Sequence, residues 1–301
     1  GALPDGTFAL GTFQGGSGIV DRDGKWSMTR NRSSGLPDET IDSQYVDSQS
    51  GLWLGLDNGI TRLEWPSPLS VHGDRTGLKG KVYGVVRHGA ILFVGTSSGL
   101  FRSAPEPKSM DSPCFLPVEG LKGQNWKLLS CGDSLLVGNY QGVYEVRDGK
   151  ARLIRPSTTS SFDLVQSRLD PRRVYIGLSE GLASIYQNEG NGGSWADEGK
   201  VPGLSEGGYT LVETGAGRVW ISTRVNGVAR VDFSTGNRSA PRVEFFTTSQ
   251  GLPGNNGVNV HRVQGEVVFS TASGLYAFDE GSGRFHPHPR LAGTFAPAKT
   301  A

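Results

Sequence analysis

The segment Gly51–Leu63, with the sequence GLWLGLDNGITRL, decides the fold because weaker copies of it recur along the chain. Each copy has an apolar residue, a Gly or Ser, a short polar loop, and then a second Gly followed by another apolar residue. The second glycines fall at residues 18, 59, 99, 142, 181, 227 and 274, so their spacing lies between 39 and 47 residues. Repeats with such a period are typical of proteins that assemble many copies of one small unit.

The hydrophobic pattern inside a unit has the length of strands and not of helices. The third unit contains the apolar runs Val82–Arg87, Ile91–Thr96 and Leu100–Arg102, and a fourth run lies near Cys114–Val118. Short apolar runs bounded by Gly, Asn, Asp and Ser indicate strands joined by tight turns. Seven such units predict an all-β fold, a seven-bladed β-propeller of four-stranded antiparallel blades.

The repeat accounts for essentially the whole chain, so we predict a single domain over residues 1–301. The first unit starts almost at its second strand and leaves only Gly1–Asp5 for an inner strand. Because an open ring exposes unpaired strand edges, we expect segment 293–296, or sequence missing from this chain, to complete the first blade. The approximate blades are residues 1–38, 39–80, 81–123, 124–160, 161–207, 208–256 and 257–301.

The glycines of the repeat are predicted to have two roles. The first glycine, such as Gly55 or Gly95, lies inside the second strand, where the missing side chain lets a neighbouring strand approach closely. The second, such as Gly59, ends a tight turn in which a positive φ is needed. The aromatic residues in the same strand, including Trp53 and Phe93, are predicted to pack between blades.

Composition and charge exclude two classes of partner. The chain has 45 glycines, 30 Lys and Arg residues, and 29 Asp and Glu residues, which give a net charge of +1. The basic residues are scattered, whereas binding to nucleic-acid phosphates needs a concentrated cationic surface. No apolar run is long enough to span a bilayer, so we expect no membrane contact by this segment itself.

The termini and the two cysteines leave several questions open. The chain begins with Gly1 and has no signal peptide, so we interpret it as a processed protein or a piece of a longer one. Cys114 and Cys131 do not have a metal-like spacing, and the sequence does not decide whether they are oxidised. We expect neither a metal nor a cofactor.

The repeat resembles the two-component regulator propeller repeat, whose pattern is a GLP loop, an inner strand and then a segment of the type LW(I/L)GT..GL. The second unit matches it with Gly35–Asp38 and Leu52–Ile60, and the seventh with Gly251–Gly254 and Val268–Leu275. The resemblance covers all seven units, and it is weakest in the fourth and fifth, where the GLP loop is lost or displaced.

This resemblance implies an extracytoplasmic, periplasmic sensor region of a bacterial transmembrane signalling protein. In that family the propellers precede a membrane helix and a histidine kinase, hybrid kinase or diguanylate cyclase. The implied domain is therefore not an enzyme, and any kinase or cyclase activity lies outside this chain. Its implied partners are a small-molecule or oligosaccharide ligand and neighbouring domains of a longer protein, with a homodimer also possible.

Strand alternation predicts where a ligand binds. Because successive antiparallel strands reverse direction, the loops between blades and the turns between second and third strands share one face of the ring, which we call the top face. Aromatic rings beside amides and carboxylates suit a polar ligand such as a sugar. The candidates are Glu39, Asn125, Trp126, Glu206, Tyr209, Asn255 and Asn256 from the loops between blades, and Asp57, Asn58, Tyr140 and Arg224 from the turns.

Two other readings of the top face remain open. Simple turn chemistry explains many of its Asn and Asp residues, and Trp126 and Tyr209 can also be explained as caps of the blade core. A propeller lyase or glycan-cleaving hydrolase is an alternative function; it requires two carboxylates, or a His and a carboxylate, within about 10 Å of each other at the channel mouth. A protein-interaction scaffold is a second alternative.

Overall fold

The computed structural model describes residues 1–32, 35–64, 72–104, 114–189, 193–234 and 240–291. These residues form 26 β-strands and three single turns of 3-10 helix, at Asp74–Thr76, Gly215–Gly217 and Thr248–Gln250. The predicted all-β fold is therefore confirmed for this part of the chain. The chain divides into two compact units, residues 1–79 with 103–116, and residues 80–102 with 117–301.

The first unit contains two three-stranded antiparallel sheets. Their strands are β1 (Phe8–Gly11), β2 (Ser17–Val20) and β3 (Trp26–Arg30), followed by β4 (Ile41–Val46), β5 (Gly51–Leu56) and β6 (Gly59–Glu64). At the free edge of β1, the backbone amide of Ala9 donates to the carbonyl of Gly1 over 2.7 Å, and Ala2 bridges to Phe8. The N-terminal residues thus occupy the edge where the other sequence repeats have an inner strand. Segment 293–296 lies outside the described residues.

The remaining strands form five four-stranded antiparallel groups. The first two groups join into one eight-stranded sheet through a single parallel pair, Glu119 with Lys150. Their strands are β7 (Val82–His88), β8 (Ile91–Thr96), β9 (Gly99–Ser103), β10 (Phe115–Lys122), β11 (Asn125–Cys131), β12 (Ser134–Asn139), β13 (Gly142–Arg147) and β14 (Lys150–Pro156).

The other three groups are separate sheets in which the strands pair in chain order. They consist of β15 (Ser161–Gln166), β16 (Arg173–Leu178), β17 (Gly181–Gln187) and β18 (Trp195–Lys200); of β19 (Leu211–Thr214), β20 (Arg218–Ser222), β21 (Val228–Asp232) and β22 (Arg242–Phe246); and of β23 (Asn259–Val263), β24 (Glu266–Thr271), β25 (Gly274–Asp279) and β26 (Arg284–Pro287).

Glycines in the second strands set the spacing between sheets. A Cβ atom on Gly95 of β8 would lie 2.7 Å from the carbonyl oxygen of Asn125, and one on Gly138 of β12 would lie 2.6 Å from that of Ser161. Asn125 and Ser161 begin the inner strands of the next groups, so each inner strand packs against the second strand before it. The predicted role of these glycines is confirmed.

The hydrophobic core lies between successive sheets and not within any one of them. Leu136 and Val143, on β12 and β13, share a buried cluster with Leu164, Val174 and Ile176 of the next sheet. Similar clusters join the groups before and after this pair. Since side chains of a strand alternate between its two faces, both faces of a middle sheet are buried, which explains its nearly continuous apolar strands.

The turn at Gly59 and the two cysteines can be compared directly with the sequence. Gly59 has φ of 100° after the two-residue turn of the second sequence repeat, as predicted, because only glycine adopts this region without strain. Cys114 and Cys131 are both free thiols, and Cys131 is buried.

Candidate functional site

Each inner strand of the middle groups begins with a β-bulge. The pairing register shifts between residues 82 and 84 in β7, between 125 and 127 in β11, and between 161 and 163 in β15. The extra residues are Tyr83, Trp126 and Phe162. A bulge leaves one residue out of the ladder and re-aims its side chain, so the same backbone device presents an aromatic ring at three successive inner strands.

These rings make a continuous chain of contacts. The ring centroids of Tyr83 and Trp126 lie 4.3 Å apart, those of Trp126 and Phe162 lie 5.1 Å apart, and those of Phe162 and Tyr209 lie 4.6 Å apart. We call these four residues the aromatic arc. At one end Lys81 Nζ lies 5.5 Å from the Tyr83 ring centroid, and at the other end Tyr209 is 60% exposed. The arc therefore ends in an open aromatic face.

Hydrogen bonds from the loops and turns hold Tyr209 in place. The backbone amide of Thr210 donates to Ser222 Oγ over 3.1 Å, which fixes the residue after Tyr209. Three residues earlier, Glu206 Oε1 accepts a 2.6 Å hydrogen bond from Asn226 Nδ2, in the turn between β20 and β21. The loop before β19 and the turn of the same sheet therefore lie together, as the strand directions predict.

Two further predicted residues serve the same loop-to-turn connections. Asn125 is completely buried, donates to the carbonyl of Gly123 over 2.9 Å and accepts from Asn139 Nδ2 over 2.9 Å. Asn255 accepts from the Gly227 amide through its carbonyl over 2.8 Å. The side chain of Asn125 and the backbone of Asn255 thus form hydrogen bonds that shape the top face.

The other predicted residues of the second compact unit are more exposed. Tyr140 lies over Gly123, where a Cβ atom would be 2.5 Å from the Tyr140 ring, and 43% of Tyr140 is exposed. Arg224 and Asn256 are exposed at their loops. Of the described polar atoms at this face, Trp126 Nε1 and Glu206 Oε2 are buried without a hydrogen-bond partner. Such atoms are rare in folded proteins.

Three predicted residues belong to the first compact unit. Glu39 Oε1 accepts a 3.2 Å hydrogen bond from the Arg32 amide, and its carbonyl accepts from the Gly16 amide over 2.9 Å. Asp57 and Asn58 are exposed at the tip of the turn between β5 and β6. The structure places these three residues among loops of the first unit.

A cavity of about 250 Å³ lies along the inner strands β11, β15, β19 and β23, beyond the aromatic arc. Val165, Leu211, Val212 and Val260 contribute its apolar wall. Its charged or titratable lining residues are Lys127, Asp163, Arg168, Glu213, His261 and Arg262. None of these six residues was a candidate from the sequence.

Both carboxylates of this cavity are already occupied by donors of the protein. Asp163 Oδ1 lies 2.8 Å from Lys127 Nζ and accepts from its neighbour's amide, while Asp163 Oδ2 accepts from the Leu211 amide over 2.9 Å. Glu213 accepts from Ser167 Oγ over 2.7 Å and from the Arg168 amide. The contacts of Asp163 with Lys127 and Leu211 tie neighbouring inner strands together.

Comparison with known proteins agrees with this architecture. The extracellular domain of the putative hybrid two component system BT3049 from B. thetaiotaomicron aligns with 97% of this chain at a TM-score of 0.66 and 16% sequence identity. The chain has the fold of the aligned part of that domain. It spans 41% of the length of the matched domain. This likeness is consistent with the resemblance to the two-component regulator propeller repeat.

Other matches are more distant. The extracellular domain of the putative one component system BT4673 from B. thetaiotaomicron covers 93% of this chain and aligns over 44% of its own length, with 16% identity and a TM-score of 0.32. The WD40 beta propeller domain of Doa1 covers 82% of this chain and aligns over 78% of its own length, with 12% identity and a TM-score of 0.48. No protein-family model and no curated protein matches the sequence.

Sequence reasoning found two of the four residues of the aromatic arc and missed Tyr83 and Phe162. The repeats were aligned on the glycine of the second strand, and the length between that glycine and the inner strand varies among units. Alignment on the first residues of each inner strand would have placed Tyr83, Trp126 and Phe162 in one column. Asp42 has the corresponding bulge position in β4.

Within the described ranges, no group of three or more His, Cys, Asp or Glu side chains could hold a metal ion. The same part of the chain contains no helix that is long and apolar enough to cross a membrane.

The imidazole of His261 predicts a pH dependence of stability. Partial burial lowers the pKa of His261 below its usual 6.5, and the negative charge of Asp163 only partly opposes this. The unfolded chain therefore binds a proton at His261 more readily than the folded chain, so stability falls as the pH drops below about 6.5. We expect His261→Gln to reduce the loss of unfolding free energy between pH 7 and pH 5, measured by urea denaturation.

The matched control for this experiment is His286→Gln, which replaces an exposed histidine on β26. His261→Gln can keep the hydrogen bond to Ser270, whose Oγ lies 2.9 Å from His261 Nε2. Equal pH dependence in the wild type and His261→Gln would contradict the prediction.

Proposed function

We propose that this chain is the non-catalytic, ligand-binding sensor region of a bacterial transmembrane signalling protein of the two-component type. It binds a carbohydrate at the aromatic arc, on the top face of a seven-bladed β-propeller in the periplasm. The observation that carries the proposal is the arc itself, in which bulges at successive inner strands present Tyr83, Trp126 and Phe162 in contact. Packing alone does not require a bulge at each of these positions.

The seven-bladed ring is supported by the repeat and by the stacking of the sheets. The sequence has seven copies of the motif, and the inner strands β11 and β15 pack closely on the second strand of the sheet before them. A propeller continues this stacking until the last blade meets the first, which removes large exposed sheet faces. The extracellular domain with the same fold supports the periplasmic location.

The chemistry of the top face favours a sugar. Exposed aromatic rings present flat apolar surfaces to the C–H faces of sugar rings, and neighbouring amides and carboxylates pair with hydroxyl groups. Three residues before the exposed Tyr209, Glu206 Oε1 accepts from Asn226 Nδ2, and Glu206 Oε2 is a buried acceptor without a donor. A ligand hydroxyl supplies such a donor.

A rigid array of sheets transmits a signal by changing how it packs against its surroundings. The cores between sheets are close-packed, so ligand binding changes the interior little. The proposed output is therefore a change in the contact with neighbouring domains of the longer protein, or with a second copy in a homodimer.

The lyase or hydrolase alternative has less support, although Asp163 and His261 line one cavity as that alternative requires. The contacts of Asp163 with Lys127 Nζ and with the amides of Leu164 and Leu211 already give it a structural role between neighbouring inner strands. The protein-interaction scaffold has no specific observation in its favour.

Replacement of Tyr209 tests the proposal. Tyr209→Ala removes an exposed ring of the arc, so it is expected to weaken oligosaccharide binding about tenfold, or 1.4 kcal/mol, with little effect on stability. A glycan array followed by isothermal titration calorimetry on the best ligand measures this change. Tyr45→Ala is the matched control because Tyr45 is 67% exposed and lies on β4, outside the arc. Equal affinities for both variants, or no glycan bound at all, would refute the proposal.

A further inference from the structure

We infer that the cavity along the inner strands β11, β15, β19 and β23 is an oxyanion site, which takes the carboxylate of an acidic sugar or a free inorganic oxyanion. The inference rests on the proposed function of this chain as a ligand-binding domain, and it adds the charge of the ligand. It depends on a different set of residues from the aromatic arc. The residues that carry it are Arg168 and Arg262.

The balance of charge in the cavity is positive. Its lining has three basic side chains and two carboxylates, before any proton on His261 is counted. Both carboxylates are almost completely buried: the side chain of Asp163 is 8% exposed and Glu213 is 2% exposed. Because Lys127 Nζ lies 2.8 Å from Asp163 Oδ1, these two charges pair with each other, and Arg168, Arg262 and Glu213 leave one net positive charge for a ligand.

The two arginines line the same cavity. Burial lowers the pKa of Arg262, the positive charge of Arg168 lowers it further, and the negative charge of Glu213 partly opposes this. Arg262 donates to the backbone carbonyls of Glu213 and Gly265, which fixes its position at the cavity wall. Arg168 is exposed. An oxyanion between two guanidinium groups removes their repulsion and accepts short, charge-assisted hydrogen bonds from both.

The size and place of the cavity limit what it accepts. A volume of about 250 Å³ is slightly below the usual range for ligand pockets, which starts at about 300 Å³, so it suits a group no larger than a monosaccharide. Lys127 directly follows Trp126, and Asp163 directly follows Phe162. Two residues of the cavity lining thus directly follow two rings of the aromatic arc in the chain, so the proposed ligand is one acidic oligosaccharide that contacts both.

The test compares glucuronate with glucose, two sugars that differ by one carboxylate. At low ionic strength, where screening is weak, calorimetry is expected to show glucuronate binding at least tenfold more tightly than glucose. Arg168→Gln is expected to weaken glucuronate binding about fivefold to tenfold, and Arg262→Gln at least as much. Arg242→Gln is the matched control because its side chain is 73% exposed on β22 and lies outside the cavity.

Sulfate and phosphate form the second arm of the experiment. If they bind as tightly as glucuronate and Arg168→Gln weakens them equally, the site takes free oxyanions; if only glucuronate binds, it takes an acidic sugar. Either result supports the inference. It is overturned if glucose and glucuronate bind equally, if Arg168→Gln behaves like Arg242→Gln, or if none of the three anions binds at concentrations up to about 10 mM.

The arms also separate this inference from the proposed function. A neutral oligosaccharide that binds to the wild type and is lost in Tyr209→Ala, without any anion binding, overturns only the oxyanion site. Anion binding that depends on Arg168, without any glycan affected by Tyr209→Ala, overturns only the role of the aromatic arc.

Discussion

Phe269→Ala is expected to lower the free energy of unfolding by about 3–5 kcal/mol, which is the cost of removing a large buried aromatic ring. Phe269 lies on β24 and has no solvent exposure. Its ring centroid is 5.1 Å from that of Trp220 and 4.8 Å from that of Phe285, both in edge-to-face geometry. Because Trp220 belongs to the preceding sheet, the substitution opens a cavity between two sheets, and the fixed backbones on both sides prevent its collapse.

Phe13→Ala makes the same chemical change at a residue that is 75% exposed, so we expect a loss below about 0.5 kcal/mol. Guanidinium denaturation followed by tryptophan fluorescence and by circular dichroism measures both variants. If Phe269→Ala lost less than about 1 kcal/mol, the last two sheets would not share the core that the structure shows.

This core also shows what the sequence could predict. The strand type, the turn glycines and the buried aromatic residues follow from local patterns, since alternation and turn chemistry depend on neighbours within about ten residues. Trp220 has the same place in its repeat as Phe93 and Tyr175, two residues before the Gly or Ser of the second strand, so its burial could be predicted from the motif. Phe269 lies one residue before that Ser, at the apolar position of the motif, and is also buried. A single strand does not show which other strands pack against it. The repeat did, because in a repeat protein each repeat packs against the repeats before and after it.

The functional candidates could be predicted only in part. Trp126 and Tyr209 were found because they stand where loops end, but the bulge that re-aims Phe162 depends on register with the neighbouring strand. The cavity was missed for a similar reason. Its residues Arg168 and Arg262 are far apart in sequence, and scattered charges carry no repeat pattern. Side chains that meet across different sheets need the three-dimensional structure.

Gly138→Val is the second large effect, and it tests the spacing between sheets. A Cβ atom at Gly138 would lie 2.6 Å from the carbonyl oxygen of Ser161, which is backbone and cannot rotate away. Valine favours strands by up to about 1 kcal/mol, so local propensity alone predicts that the change stabilises the protein. Overpacking against a fixed backbone costs about 1–3 kcal/mol, and the two further methyl groups place this variant at the upper end.

The net expectation for Gly138→Val is therefore a loss of about 2 kcal/mol or more in the free energy of unfolding. Gly254→Val is the matched control because a Cβ atom at Gly254 meets nothing within 4 Å, so it is expected to change stability by less than about 0.5 kcal/mol. A stabilised Gly138→Val would mean that strand propensity outweighs the contact between sheets. The loss, in contrast, would show why glycine recurs in this strand: the inner strand of the next sheet occupies the space that a side chain needs.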